Sequence, residues 1–178
     1  MRRCLLFVVV AIAALGTASC AGTPTAAPTR TTAPLPAGRL PSEISKMVCQ
    51  PKAQGELAEV LGVKAVVATP TWVDHLYTCR YQYPDGTMVL SIKELSSWPQ
   101  TKGYYAMLGN QLGNIGPLGN LGQGAFTTGD GSVVVRKDWK VLLVDISGLP
   151  AQFGVPTTSK ADVADTVSDV ILGCWAGD

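Results

Sequence analysis

The order helix, hairpin, helix, strands, helix along residues 42–178 predicts an α+β domain, an antiparallel sheet with helices packed on it. Three observations carry that prediction. Two alternating apolar runs are joined by Pro84-Asp85-Gly86. Two further β-rich runs flank Lys137-Asp138-Trp139, and the C-terminal segment repeats its apolar residues at helical spacing. This length suits one domain with a modest core and is too short for two.

Residues 1–19 read as a lipoprotein signal peptide. Arg2 and Arg3 give a positive start, and an apolar run from Leu5 to Leu15 follows. That run falls short of the roughly 20 residues that cross a bilayer as a helix. Thr17-Ala18-Ser19-Cys20 then resembles a bacterial lipobox, with Thr17 standing where Leu, Val or Ile is usual. Cys20 is accordingly the expected lipid-attachment residue, and two or three acyl chains hold a protein firmly where one does not. The chain is thus expected on the outer face of the cell membrane, held through its lipid anchor. Ordinary cleavage between Ala18 and Ala21, releasing a secreted protein, is the alternative.

Residues 20–41 supply the lipidated cysteine and a linker of Pro, Thr and Ala with little to bury. Its prolines favour an extended spacer, at about 3 Å per residue a reach of some 60 Å at most. A stalk through the envelope and a passive connection are both compatible with it.

Within the domain, Pro41-Ser42-Glu43 opens a short helical segment, and Gln54 to Leu61 continues helically until Gly62. Trp72 to Tyr83 reads as a strand with Val73, His75, Tyr77, Cys79, Tyr81 and Tyr83 on one face. After the Pro84-Asp85-Gly86 turn, Thr87 to Leu95 returns with Met88, Leu90 and Ile92 on one side. A helix is expected over Thr101 to Leu112, then a glycine-rich loop. Gly131 to Arg136 and Lys140 to Ser147 are strands, with Ala125 to Thr128 a short addition. Ser159 caps the last helix, Asp162 completes a variant capping box, and Val163, Val167, Val170, Ile171 and Cys174 form its apolar stripe.

Composition excludes some functions. Removing Arg2, Arg3, Arg30 and Arg39 from the 14 basic residues leaves 10 against 13 acidic ones, a net charge near −3 without a basic cluster. Nucleic acid is therefore not an expected partner. Cys49, Cys79 and Cys174 remain in the mature domain, which in an oxidising compartment means one disulfide and one spare thiol. Spacing does not choose the pair. No C-x-x-C occurs and His75 is the only histidine, so no metal or other cofactor is expected. His75 follows Asp74, but strand neighbours point to opposite faces, and no G-x-S-x-G or H-E-x-x-H is present. No enzymatic activity is expected.

Four stretches resemble a known family. They are Met47-Val48-Cys49 before a helix ending in Leu61-Gly62, Thr78-Cys79-Arg80-Tyr81, Leu121-Gly122-Gln123-Gly124-Ala125, and Gly173-Cys174-Trp175. Over most of the mature domain the chain is similar to small secreted lipoproteins of actinobacteria that carry a domain of unknown function. The resemblance implies a PsbP-like α/β sandwich and no agreed activity. It also implies a Cys49–Cys79 disulfide, closing a loop worth on the order of 3 kcal/mol. Cys174 departs from the two-cysteine pattern, either free or the alternative partner of Cys49.

The expectation is a non-catalytic binding or accessory domain of the cell envelope, its partner an envelope protein or a small apolar ligand. A structural or protein-interaction component that binds no small molecule is the alternative. The candidate binding loop is Leu108 to Gly124, with Leu112, Ile115, Leu118 and Leu121 either lining an apolar groove or capping the core. Gly122-Gln123-Gly124 lacks the third glycine, the preceding strand and the Lys-Ser/Thr of a phosphate cradle. Trp72, Tyr77, Tyr81, Tyr83, Tyr104 and Tyr105 suit either a binding wall or ordinary packing.

Overall fold

The computed structural model describes residues 33–175 of the 178-residue chain. Two helices come first, α1 (Glu43–Met47) and α2 (Pro51–Leu61), then two short strands, β1 (Val66–Val67) and β2 (Thr71–Val73). A long hairpin of β3 (Leu76–Tyr83) and β4 (Gly86–Glu94) leads into α3 (Trp98–Leu112). The strands β5 (Asn114–Leu118), β6 (Ala125–Thr128), β7 (Val133–Lys137) and β8 (Lys140–Asp145) follow. A small hairpin, β9 (Gln152–Phe153) with β10 (Thr158–Ser159), precedes α4 (Lys160–Cys174).

Eight strands make one antiparallel sheet in the order β1-β3-β4-β8-β7-β6-β5, with β2 also paired to β3. The α+β class read from the sequence is the observed one. Register defines the faces. Tyr77 lies opposite Ile92, Cys79 opposite Leu90 and Tyr81 opposite Met88. Leu90 and Ile92 lie in turn opposite Val144 and Leu142. Directly opposed side chains share a face, so these buried residues form one continuous apolar surface.

The helices α1, α2 and α4 cover that surface, contributing Ile44, Leu57, Leu61, Val163, Val167 and Ile171 to the main core. Burial of each such side chain is worth about 1.5–3 kcal/mol. The helix α3 packs on the opposite face, where Leu108 joins Phe126, Val134 and Val141 in a second core. The stripe predicted for the last helix is largely in place: Val163, Val167 and Ile171 are buried, while Val170 and Cys174 are half-buried.

Local chemistry explains the helix ends. Ser42, Ser97 and Ser159 each accept a backbone N–H from the first turn of α1, α3 and α4. Gly62 ends α2 at φ 63°, and a Cβ there would lie 2.0 Å from the Val155 carbonyl oxygen. Val155 N–H caps the Leu61 carbonyl at 2.8 Å, so the β9–β10 turn closes the C-terminus of α2. A disulfide joins Cys49, between α1 and α2, to Cys79 in the middle of β3. Beside it the buried Tyr81 hydroxyl donates to the Val48 carbonyl at 2.6 Å.

Three expectations need correction. Trp72 to Tyr83 is two strands, because Asp74 and His75 have φ of 49° and 58° and turn the chain between Val73 and Leu76. Two positive φ values match the twist of a tight hairpin, so His75 sits at its tip and leaves the face of Tyr77 and Cys79. The stretch Leu108 to Gly124 is only partly a loop: α3 runs to Leu112, and β5 pairs with β6. Pro117 is tolerated there because β5 is the sheet's margin, where a missing N–H costs no ladder bond. Finally, α3 begins at Trp98, capped by Ser97, rather than at Thr101.

Candidate functional site

An apolar groove of about 270 Å³ lies between α2 and the β1 margin of the sheet. One wall is the α2 face carrying Gln54, Gly55, Leu57 and Ala58, and the other is the segment carrying Val63, Ala65 and Val67. Tyr81 and Tyr83 form its floor, and Lys64 lies at its rim. The walls arise from the sequence directly. Leu57 and Leu61, four apart, bind α2 to the core, while Gly55 leaves the next helical position bare. A Cβ at Gly55 would meet nothing within 4 Å. No packing contact or positive φ requires that glycine, which costs about 1 kcal/mol against Ala in a helix.

The floor is chemically quiet. Burial pushes the Tyr81 phenol well above its ordinary range, helped by the neighbouring Tyr83 and Tyr77. Burial also pushes Tyr83 up to about 12, and its ring rests edge-on against Phe153 at 4.8 Å. Both phenols stay neutral around pH 7, so the groove offers apolar contact and neutral hydroxyls. Behind α2, the half-buried Cys174 thiol donates to Glu56 at 2.8 Å. Burial first, then the Glu56 carboxylate, raises its pKa.

The predicted site residues are scattered. Leu121 is buried in the main core and Leu118 packs against it. Leu112 borders a separate pocket of about 150 Å³ with Asp130, Asp145 and Leu143, and Ile115 is 69 % exposed. The four therefore do not surround one cavity. Gly122-Gln123-Gly124 serves packing instead of a phosphate. Gln123 N–H donates to the Arg136 carbonyl at 2.7 Å, and Arg136 N–H returns to the Gly124 carbonyl at 2.8 Å. A Cβ at Gly122, φ 55°, would lie 2.8 Å from that Arg136 oxygen.

The aromatics divide as well. Tyr77, Tyr81 and Tyr83 lie under the helices, whereas Tyr104 and Tyr105 ride on α3 over the other face. His75 is exposed, its ring 5.7 Å from that of Trp72. Cys49 and Cys79 are paired and Cys174 is free. Cys20 lies outside the described residues. Among the described residues, no helix is long and apolar enough to cross a membrane, and no group of three or more His, Cys, Asp and Glu could hold a metal ion.

One cluster escaped the sequence reading. Trp98, Trp139, Gln123 and Pro34 line an open notch of about 340 Å³, which includes none of Leu112, Ile115, Leu118 and Leu121. Arg136 stacks on Trp98 at 4.2 Å beside it. Two tryptophans, one opening a helix behind Ser97 and one in a tight corner, were the available signal. No known protein family, curated protein or solved structure matches the chain.

Proposed function

We propose that this chain is an exported lipoprotein whose folded part is a non-catalytic binding module of the cell envelope. In this reading the groove beside α2 takes a small apolar ligand, such as a single acyl or aromatic segment. The groove carries the proposal: it is walled by Leu57, Ala58, Val63, Ala65 and Val67 and floored by two neutral phenols. Its volume of about 270 Å³ is just below the usual range for small-molecule sites, which suits a narrow ligand. The signal and lipobox-like residues Met1 to Cys20 support the envelope placement. The Cys49–Cys79 disulfide agrees with the pairing that the resemblance to actinobacterial lipoproteins implies.

The test is titration with a fluorescent apolar probe, 1-anilinonaphthalene-8-sulfonate, against the natural protein and Gly55→Leu. Leucine favours the helix and projects into open space, so the variant folds while its side chain narrows the groove. Probe binding is expected to weaken at least tenfold. Equal binding by both proteins overturns the groove assignment. Membrane attachment is tested separately, by labelling with palmitate and mass spectrometry of the mature terminus; an unacylated Cys20 defeats that half of the proposal.

A purely structural role through protein contacts is the second reading. It is favoured by Met107, Leu112 and Ile115, which stay exposed around the α3–β5 junction.

A further inference from the structure

Arg136 is a half-buried cation without a counter-ion. Its guanidinium packs against the rings of Trp98, at 4.2 Å, and Tyr105, at 5.4 Å. Among the described residues the guanidinium makes one hydrogen bond, from Nη2 to the Gln123 carbonyl, and no carboxylate pairs with it. Its Nε is buried with no acceptor. A buried donor without a partner is uncommon in folded chains, and a desolvated charge is normally paired. Two of the residues that the guanidinium touches, Trp98 and Gln123, are also walls of the notch that Trp139 and Pro34 complete.

We propose that this notch binds an acidic saccharide, with a sugar ring on the indoles and its carboxylate held by Arg136. Charge selects the acid. Lys102 Nζ lies 5.5 Å from the same Trp98 ring, and the first turn of α3, which Trp98 opens, has no acidic residue. The start of that helix adds its own partial positive charge. Asp138 brings the opposing charge, and the Gln123 amide holds its carboxylate at 3.3 Å. A guanidinium edge presents parallel N–H groups that fit a carboxylate, and here the Nε donor on that edge is still unused.

The indoles select the ring. Indole suits a surface that is half apolar and half wet, which is what the C–H face and hydroxyl rim of a sugar present. Trp139 has φ 58° in the two-residue turn between β7 and β8, where glycine or asparagine is usual. A bulky residue there is an outlier, of the kind that clusters at ligand sites. Gln123 supplies contacts for hydroxyls. Its side-chain oxygen accepts Asp138 N–H at 3.1 Å and its nitrogen donates once, so one lone pair and one N–H remain. At about 340 Å³ the notch has room for a small ligand. It shares no lining residue with the groove beside α2, so the two sites stand or fall separately.

The test is an NMR titration of the full mature chain with tetragalacturonate and, separately, with uncharged maltotetraose. The indole N–H signals of Trp98 and Trp139 are expected to shift, while those of Trp72 and Trp175 stay. The uronate is expected to bind with a Kd of about 1 mM, roughly tenfold tighter than the neutral sugar. Trp139→Asn keeps the turn, because asparagine accepts the positive φ, and is expected to weaken the uronate about tenfold. Arg136→Gln is expected to erase the preference for the uronate, and the dispersion of its spectrum reports folding. No shift of the two indoles below about 10 mM uronate overturns the proposal, and so does equal affinity for the two sugars. A preference that survives Arg136→Gln overturns it as well. Equal shifts with inorganic phosphate do the same, since they leave an anion seat and no saccharide site.

Discussion

Removing the Cys49–Cys79 disulfide, as the double substitution C49A/C79A, tests how this small core is held. The bridge closes a loop with a sequence separation of 30. Its chief effect is on the unfolded chain, where closing such a loop removes entropy worth about 3.6 kcal/mol at 25 °C. The folded state loses little, because the Tyr81 hydroxyl still holds the Val48 carbonyl beside the missing bridge. For a domain of this size that loss lowers the thermal midpoint by about 12 °C. Urea titration provides the sharper assay. The midpoint should fall and the slope should rise, since an unbridged chain exposes more surface when it unfolds. A loss below about 1 kcal/mol, or an equal loss in C174A alone, refutes the reasoning.

Other outcomes follow from single contacts. Tyr81→Phe leaves the Val48 carbonyl buried without its donor, and chemical denaturation should show a loss of about 1–3 kcal/mol. Gly62→Ala puts a Cβ on the Val155 carbonyl at a positive φ, so it should cost about 2 kcal/mol or more by the same measurement. Cys174 should react slowly with iodoacetamide at pH 8, because burial and Glu56 raise its pKa and only the thiolate attacks. Glu56→Gln removes the nearby negative charge, lowers that pKa and speeds alkylation at pH 8. The two rates converge at a pH above both thiol pKa values, and an unchanged rate at pH 8 contradicts the assignment.

Much of the fold was legible because several local signals agreed. Ser159, Asp162 and the stripe of Val163, Val167 and Ile171 point to one helix by cap and by periodicity, and α4 is that helix. Tyr77 to Tyr83 alternate because one face is covered by helices and the other is more open, and Met88, Leu90 and Ile92 continue the covered face in β4, where Ser91 on the opposite face is buried as well. The β2–β3 turn was hidden by its residues. Asp74-His75 carries no glycine or asparagine to advertise positive φ, and the apolar alternation runs on through it. The strand β5 was hidden for the opposite reason, since Gly116 and Pro117 look like loop in any window that cannot see β6 beside them. The groove was illegible as a site. Gln54 to Ala58 and Val63 to Val67 are ordinary helix and connector residues until tertiary packing sets them over Tyr81 and Tyr83. The notch failed similarly, because Trp98, Gln123 and Trp139 come from three separate elements and meet only in the folded chain.

The sheet's two margins bear on self-association. On one side β1 and β2 offer two- and three-residue pieces, separated by residues 68–70, with a proline at Pro70. On the other, β5 has a register shift between Asn114 and Gly116 and then Pro117, which has no hydrogen to give. Neither margin presents a long uninterrupted row of donors and acceptors on which another copy could template a ladder. Crowding many copies on one surface would multiply encounters, yet the backbone gives them little to zip together, so any assembly must be built from side chains.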